Sequence, residues 1–401
     1  MREDTTLRTH LRDLILASTA LVVFAGSVPL ASADVIISGM LYVADYGKSV
    51  LDRYQYMYDQ TLNTITSIGP YGIGGNTTNA FFLGGSSMPI KEGLQGTSDD
   101  LITVIGAHGS TATTLERVSL NGTPIGAIPV DFTAYNGGNV GIGNVAITAD
   151  GRYMYAPLET ANAIVKIDLT NGAIVASYAF TGAHDVAIAA NGDVYAADYN
   201  AGSPKVIRLN SNLVYQQDLV TALPAGVTGA FSPTGISVAA DGSIYVDNNT
   251  KTGSDSVFHY TFTSSAGTLT AHYDSPGSYI GNTSTYALDF TFGNNIGPDG
   301  NLYIAALGGG GAGSFGVKNG YVDGIYELNT SNESVSQFVQ GFTETGGSAG
   351  PSGLSAPKYL QFDTNFVDAP DAGLVPEPGT TALSLAAIAC FGALQRVHRR
   401  N

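Results

Sequence analysis

His184-Asp185 and Asp247-Asn248-Asn249 are the places where this 401-residue sequence brings together side chains able to hold a cation or move a proton. A histidine beside a carboxylate can share a proton or ligate a metal. The Asp-Asn-Asn run offers hard oxygen donors, which suit calcium or magnesium. Each also has a structural reading. Asp185 can hydrogen-bond a neighbouring strand, and Asp247 to Asn249 can form a turn. Asp45 and Asp198 recur three residues after a tyrosine, which favours a repeated local job such as an Asx-turn. Tyr54, Tyr56 and Tyr58 fall on one face of a strand, as core or as a platform for sugar rings. There is no His-Glu-x-x-His zinc motif, and no complete metal set can be assembled from these residues.

Short strands must position these side chains, because the sequence repeats a strand–turn–strand plan. Four segments end in Asp-Gly or Asn-Gly: 144–151, 185–192, 235–242 and 294–300. Such dipeptides between β-rich runs are hairpin signals, read here as two-residue turns with positive φ at both central positions. Val145 and Ile147, Val186 and Ile188, and Ile236 and Val238 alternate onto one face. Tyr155, Tyr195, Tyr245 and Tyr303 recur in the second strands as core residues. Third strands follow at 163–168, 205–209, 256–260 and 324–328, and fourth strands at 174–180, 213–219, 269–273 and 334–339. Four strands per repeat is the plan of a β-propeller blade.

The flanks suggest how a ring would close. Residues 39–46 match 192–199 but lack a preceding strand, and residues 353–363 read as that missing strand at the other end. Leu101–Ile105 with Thr114–Leu120 gives a second, degenerate blade. The expected fold is therefore all-β, a single propeller over residues 34–367 with six blades. Seven stay open, because Phe81–Gln95 fits none of the six. Gly308–Gly316 is glycine-rich but no Lys-Ser/Thr follows, so it is read as an inter-strand loop and not a phosphate loop.

The segments Ala240-Asp-Gly-Ser-Ile-Tyr-Val246 and Tyr195-Ala-Ala-Asp198 resemble NHL-type and gluconolactonase-like six-bladed propellers. The resemblance covers residues 140–330 well and the flanks loosely. It implies a divalent ion at the channel mouth, held by a glutamate, asparagines and an aspartate from different blades. No glutamate here maps onto that position. No cofactor or metal is expected, a divalent cation such as calcium being the one candidate, with Asp185 and Asp247 as its first ligands.

Composition narrows the partners. A net charge of −16 and a pI near 4.5 argue against nucleic acid. The single cysteine, Cys390, lies near the C-terminus. The body thus has neither disulfide nor thiolate ligand and must be held by its core.

Both ends read as addresses. Arg2, Arg8 and Arg12 precede an apolar stretch, and Ala31-Ser32-Ala33 is an A-x-A cleavage pattern. A signal helix over residues 1–33 and a mature start near Asp34 are expected. Residues 368–374 form a Pro/Gly/Asp-rich linker. Val375-Pro376-Glu377-Pro378 follows, then an apolar run and the basic stop Arg396, Arg399 and Arg400. The two prolines keep the motif extended. The apolar run falls short of the roughly 20 residues of a comfortable bilayer span. The arginines would hold its end in the cytoplasm.

Residues 375–401 resemble the PEP-CTERM sorting signal of Gram-negative bacteria that make extracellular polysaccharide. The resemblance implies a transiently membrane-inserted sorting helix removed by exosortase, after signal peptidase has acted at the other end. The expected location is the cell envelope, cell surface or biofilm matrix. Three functions follow: a propeller that binds polysaccharide or a surface protein, a hydrolase, lactonase or lyase using a channel-mouth metal, or a structural spacer.

Overall fold

The computed structural model describes residues 36–45, 50–70, 80–81, 90–96, 100–105, 114–120, 124–199, 202–227, 229–249, 256–265, 267–273, 291–306, 322–332, 334–343 and 357–362. The expected signal segment 1–33, the Gly308–Gly316 loop, the linker 368–374 and the tail 375–401 lie outside these residues. Among the described residues no helix is long and apolar enough to cross a membrane.

Six antiparallel sheets are present. The first blade contains β1 (Ile36–Asp45), β2 (Val50–Asp59) and β3 (Thr64–Pro70), with β4 (Ala80–Phe81) added off the path beside β2. The second runs from β5 (Ile90–Gly96) through β6 (Asp100–Ile105) and β7 (Thr114–Ser119) to β8 (Pro124–Ile128). The third has β9 (Ala146–Ile147), β10 (Tyr153–Leu158), β11 (Ala163–Asp168) and β12 (Ala173–Ala179). The fourth has β13 (Ala183–Ile188), β14 (Val194–Asp198), β15 (Lys205–Leu209) and β16 (Tyr215–Val220). The fifth has β17 (Pro233–Val238), β18 (Ile244–Asn248), β19 (Ser256–Ser265) and β20 (Thr268–Tyr273). The sixth has β21 (Thr291–Ile296), β22 (Leu302–Ala306), β23 (Val322–Leu328) and β24 (Val335–Thr343).

A last strand, β25 (Pro357–Phe362), pairs with β1 and becomes the inner strand of the first blade. Its register runs from Leu41↔Phe362 to Asp45↔Pro357. The inner strands meet in the cyclic order β25, β5, β9, β13, β17, β21 and back to β25. The molecule is a six-bladed propeller closed by its C-terminal strand, and the described residues of Phe81–Gln95 fall in β4 and β5 and add no blade.

The turns differ from the expected type. Gly151, Gly192, Gly242 and Gly300 have positive φ, but the Asp or Asn before each does not. In the last three the loop has three residues. Gly242 N–H donates to Ala239 C=O (2.9 Å), and Ala239 N–H to Ser243 C=O (2.9 Å). One left-handed glycine after a type I turn suffices for such a loop. The Asp or Asn is selected instead by its side chain, whose Oδ1 accepts the N–H two residues on: Asp150 from Arg152, Asn191 from Asp193, Asp241 from Ser243, Asp299 from Asn301.

The apolar core lies between blades, as alternation requires of strands covered on both faces. Met154, Val165 and Ile167 of the third blade pack with Ile102 and Leu115 of the second. Tyr303 and Ile325 of the sixth pack with Leu41, Tyr54, Tyr56 and Phe362 of the first. There Phe362 meets Tyr56 and Tyr303 edge-on, with ring centroids 5.4 and 4.7 Å apart. Tyr54 and Tyr56 are therefore core and not a sugar platform. Tyr155, Tyr195, Tyr245 and Tyr303 are buried as expected.

Polar clasps supplement this core at a fixed register position. Opposite Tyr42, Ile102, Tyr155, Tyr195, Tyr245 and Tyr303 on the next strand stand Arg53, Arg117, Lys166, Arg208, His259 and Glu327. The first four each reach a backbone carbonyl of the following blade. Arg53 donates to Leu120 (2.9 Å), Arg117 to Leu169 (3.3 Å), Lys166 to Ser211 (2.9 Å) and Arg208 to Gly267 (3.1 Å). Tyr42 and Tyr155 donate their phenols to the same carbonyls, at 3.0 and 2.7 Å.

Candidate functional site

The interior residues singled out in the sequence sit where inner strands bulge. The pairing of β13 with β14 shifts between Ala183 and Asp185, so His184 stands at an irregularity. The same shift recurs between Pro233 and Gly235 and between Thr291 and Gly293. A bulge re-aims a side chain out of the pleat. Close approach of strands is also needed here. A Cβ on Gly143 would run into the His184 carbonyl and Pro157.

Asp185 is fully buried (0 % exposed) and ties two blades. Its Oδ1 accepts the Val186 N–H (2.7 Å) and its Oδ2 accepts the Ile236 N–H of the next inner strand (2.9 Å). Burial pushes its carboxyl well above the usual range. Hydrogen bonds from Ile236, Val186 and the Asn144 side chain oppose this, while the negative charge of Asp247 adds to it.

Asp247 is equally buried and lies in β18 opposite Gly235. Its Oδ1 accepts from Asn294 Nδ2 (2.7 Å), and Ser237 Oγ donates to the Asn294 backbone carbonyl (3.0 Å) while also touching Asn294 Oδ1. The turn expected at Asp247–Asn249 is thus a strand end. Asn248 occupies the repeat position of Asp45 and Asp198 and shows its use. Its Oδ1 accepts the Ser232 N–H (2.6 Å) and its Nδ2 donates to Ala230 C=O (3.2 Å), tying down the chain entering β17. Asn249 N–H donates to Ser232 C=O (2.9 Å). Asp198 likewise ends β14, opposite Ala183 and Lys205, and Asp45 ends β1 opposite Val50 and Pro357.

His184 belongs to a separate group and lies in a strand, not in a loop. Its Nδ1 is 2.7 Å from Thr234 C=O, and since a carbonyl only accepts, Nδ1 carries a proton. Its Nε2 lies 3.5 Å from Glu159 Oε1, and its ring sits edge-on to Tyr199 at 4.8 Å.

The structure therefore joins Asp185 to Asp247, adds Asn144 and Asn294, and leaves His184 with Glu159, Thr234 and Tyr199. Sequence reading missed Asn144, although it occupies the same place before Gly151 as Asp185 does before Gly192. It missed Asn294 and Glu159 because their partners come from other blades. Asn144, Asp185, Asp247 and Asn294 are all oxygen-bearing, yet as arranged they do not fit a bound cation. Asn294 presents its N–H₂, not its oxygen, to Asp247, and both Asp185 oxygens accept main-chain N–H groups. Among the described residues no three His, Cys, Asp or Glu side chains group as metal ligands. One Gly-x-Ser-x-Gly spacing, Gly346–Gly350, lies outside the described residues. A nucleophile elbow joins a strand to a helix, whereas here β24 precedes and the next described element is strand β25.

No protein-family profile matches the sequence, and no curated protein is similar to it. Solved structures do match. The periplasmic gluconolactonase PpgL of Pseudomonas aeruginosa is 14% identical, with a TM-score of 0.50 over 81% of this chain and 99% of that one. A chain of a nidogen/laminin complex is 11% identical, with a TM-score of 0.50 over 82% of this chain and 98% of that one. One neighbour is a sugar-lactone enzyme by its name and the other belongs to a protein–protein complex, so what this chain shares with both is the propeller fold.

Proposed function

We propose that this protein is an exported propeller that acts as a binding or scaffold module at the cell envelope or in its matrix. Signal peptidase acting near Ala31–Ala33 and exosortase acting at Val375-Pro376-Glu377-Pro378 would deliver it, the tail being inserted only transiently in the inner membrane. The observation that carries the non-catalytic part is the engagement of the interior acids: Asp185 holds the main chain of two blades and Asp247 holds Asn294 of a third. These groups do structural work that a substrate would have to displace. Polysaccharide or another surface protein is the partner class that suits an acidic, exported body, and nucleic acid is not.

The delivery half is tested by intact mass of protein recovered from the cell envelope. A chain starting near Asp34 and lacking Cys390 is expected. Recovery of full-length protein with an alkylatable Cys390 overturns the exosortase step. The binding half is tested by retention on the producing cell's own matrix polysaccharide or envelope proteins, with matched binding lost on heat denaturation.

A second reading, a metal-dependent lactonase or hydrolase, is favoured by one observation: Asn144, Asp185, Asp247 and Asn294 come from four successive blades into one interior neighbourhood. It requires the Asn294 amide to turn over and Asp185 to release Ile236. Calorimetric titration with Ca²⁺, Mg²⁺ and Zn²⁺ on the parent, Asp185→Ala and Asp247→Ala decides it. Tight binding lost in both variants, together with lactone turnover, replaces the binding-module reading. No binding at millimolar ion leaves that reading standing.

A further inference from the structure

At one register position, opposite Tyr42, Ile102, Tyr155 and Tyr195, the first four blades hold a cation that clasps the next blade, but the sixth holds an acid. There Glu327 faces Tyr303, and the next blade in the ring is the first, so this is the seam where the chain closes on itself. In place of a clasp there is a carboxyl pair. Asn301 Nδ2 donates to both Asp299 Oδ2 (2.9 Å) and Glu327 Oε1 (2.8 Å), and Tyr303 donates its phenol to Asp299 Oδ2 (3.0 Å). The link across the seam runs in the opposite direction, from Asn63 Nδ2 of the first blade to Asp299 C=O (2.8 Å). Tyr58 and Tyr56 face the cluster from β2, Tyr303 from β22, and Thr330 donates its hydroxyl to Gly300 C=O and its N–H to Asn301 Oδ1. None of these is a cation.

We propose that the seam between the sixth and first blades is an acid-tightened latch, in which protonation of the Asp299–Glu327 pair firms the closure of the ring and deprotonation loosens β3 against β24. Two carboxyls that accept from one amide sit together without conflict when one is protonated, but as two anions they repel across that amide. Burial raises both groups above their ordinary values. The charge of Asp299 raises Glu327 further, and the Asn301 hydrogen bond opposes both shifts. The phenol of Tyr58 is raised by burial and by Asp299. Because both folded-state values lie above the unfolded ones, the stability they contribute is complete below the ordinary carboxyl range. It is lost as pH rises through the raised values.

The test compares the full chain with Glu327→Gln, which keeps an acceptor for Asn301 and removes the charge. Thermal midpoints are measured from pH 4 to pH 8, and the difference between variant and parent is read, since other carboxyls titrate equally in both. A difference near zero at pH 4 that grows to about +3 °C by pH 8 is expected. A difference that is constant with pH, or negative at pH 8, overturns the latch. If the variant does not fold, hydrogen exchange on the parent decides. Protection factors in β3 and β24, corrected for intrinsic exchange, are expected to fall about tenfold between pH 5 and pH 8 relative to β12 and β16. An equal fall in both pairs, or none, overturns it.

Discussion

The seam between the third and fourth blades and the seam between the sixth and first are built on the same register but differ in chemistry. In the former, Lys166 and Tyr155 both donate to Ser211 C=O, and the ammonium lies 4.3 Å from the Tyr153 ring centroid. In the latter, Glu327 and Asp299 crowd around one amide, and the weight of the joint falls on Tyr56, Tyr303 and Phe362. A seam within a continuous chain holds its blades together by covalent connection as well as by contact. The closing seam is crossed by the longer connection from β24 to β25, which completes the first blade only by pairing with the distant β1, and the seam relies on aromatic packing. Its polar part adds pH dependence where the other adds a clasp.

The harshest way to break this comparison is to remove the closing strand. A chain ending at Leu354 loses β25, leaving β1 with an open edge and Tyr56 and Tyr303 without Phe362. Most of a typical stability of ~5–15 kcal/mol should disappear, read as aggregation or loss of a cooperative transition. A truncated chain that melts like the parent would show that the ring is held by the other seams.

Next in size is the interior tie between the fourth and fifth blades. Asp185→Ala orphans the buried Val186 and Ile236 N–H groups, at roughly 1–3 kcal/mol each. Asp185→Asn keeps one of the two acceptors and fills the same space, so denaturant midpoints should show a smaller loss than Asp185→Ala. Equal losses for both would mean that Asp185 is needed as an anion.

The comparison itself is sharpened by a pair of opposite substitutions. Lys166→Ala removes a hydrogen bond and a cation–π contact, costing about 1–3 kcal/mol at neutral pH. Glu327→Lys installs the cation that the other blades use and should raise stability by about 1 kcal/mol at the same pH. Losses in both would mean that the register position has no common role. Similar in size is Gly242→Ala, a turn position at φ 85° with open space around it, where only backbone strain of roughly 1–2 kcal/mol is at stake. A larger loss would implicate contacts that the turn does not show.

What the sequence revealed follows the same division. Features repeated within one blade were legible: the turn glycines, the buried tyrosines at 155, 195, 245 and 303, and the third strands, because each is fixed by local alternation. The closing strand was legible as well, since residues 39–46 announced a second strand without a first. Features made between blades were not. Asp247 and Asn248 look like turn residues because Asn294, Ser232 and Ala230 are far away in sequence. Tyr54 and Tyr56 read equally as core or as a sugar platform until the sixth blade covers them. Glu327 carried no signal in the sequence, and only its register against Tyr303 shows that it stands where the first four blades place a cation.

The pairing of Leu41 with Phe362 also sets the order in which the molecule can assemble. A chain that emerges from its N-terminus delivers β1 first and its partner β25 last, with every other described strand in between. Until that last strand arrives, β1 presents an unpaired edge, and the first blade cannot reach its final packing. Joining such distant segments carries a loop-closure penalty before any contact repays it, which marks the ring's completion as the slow, late event of folding. During that interval β1 is the strand most exposed to pairing with another copy of the chain, so yield should depend on protein concentration during refolding more than the final stability would suggest.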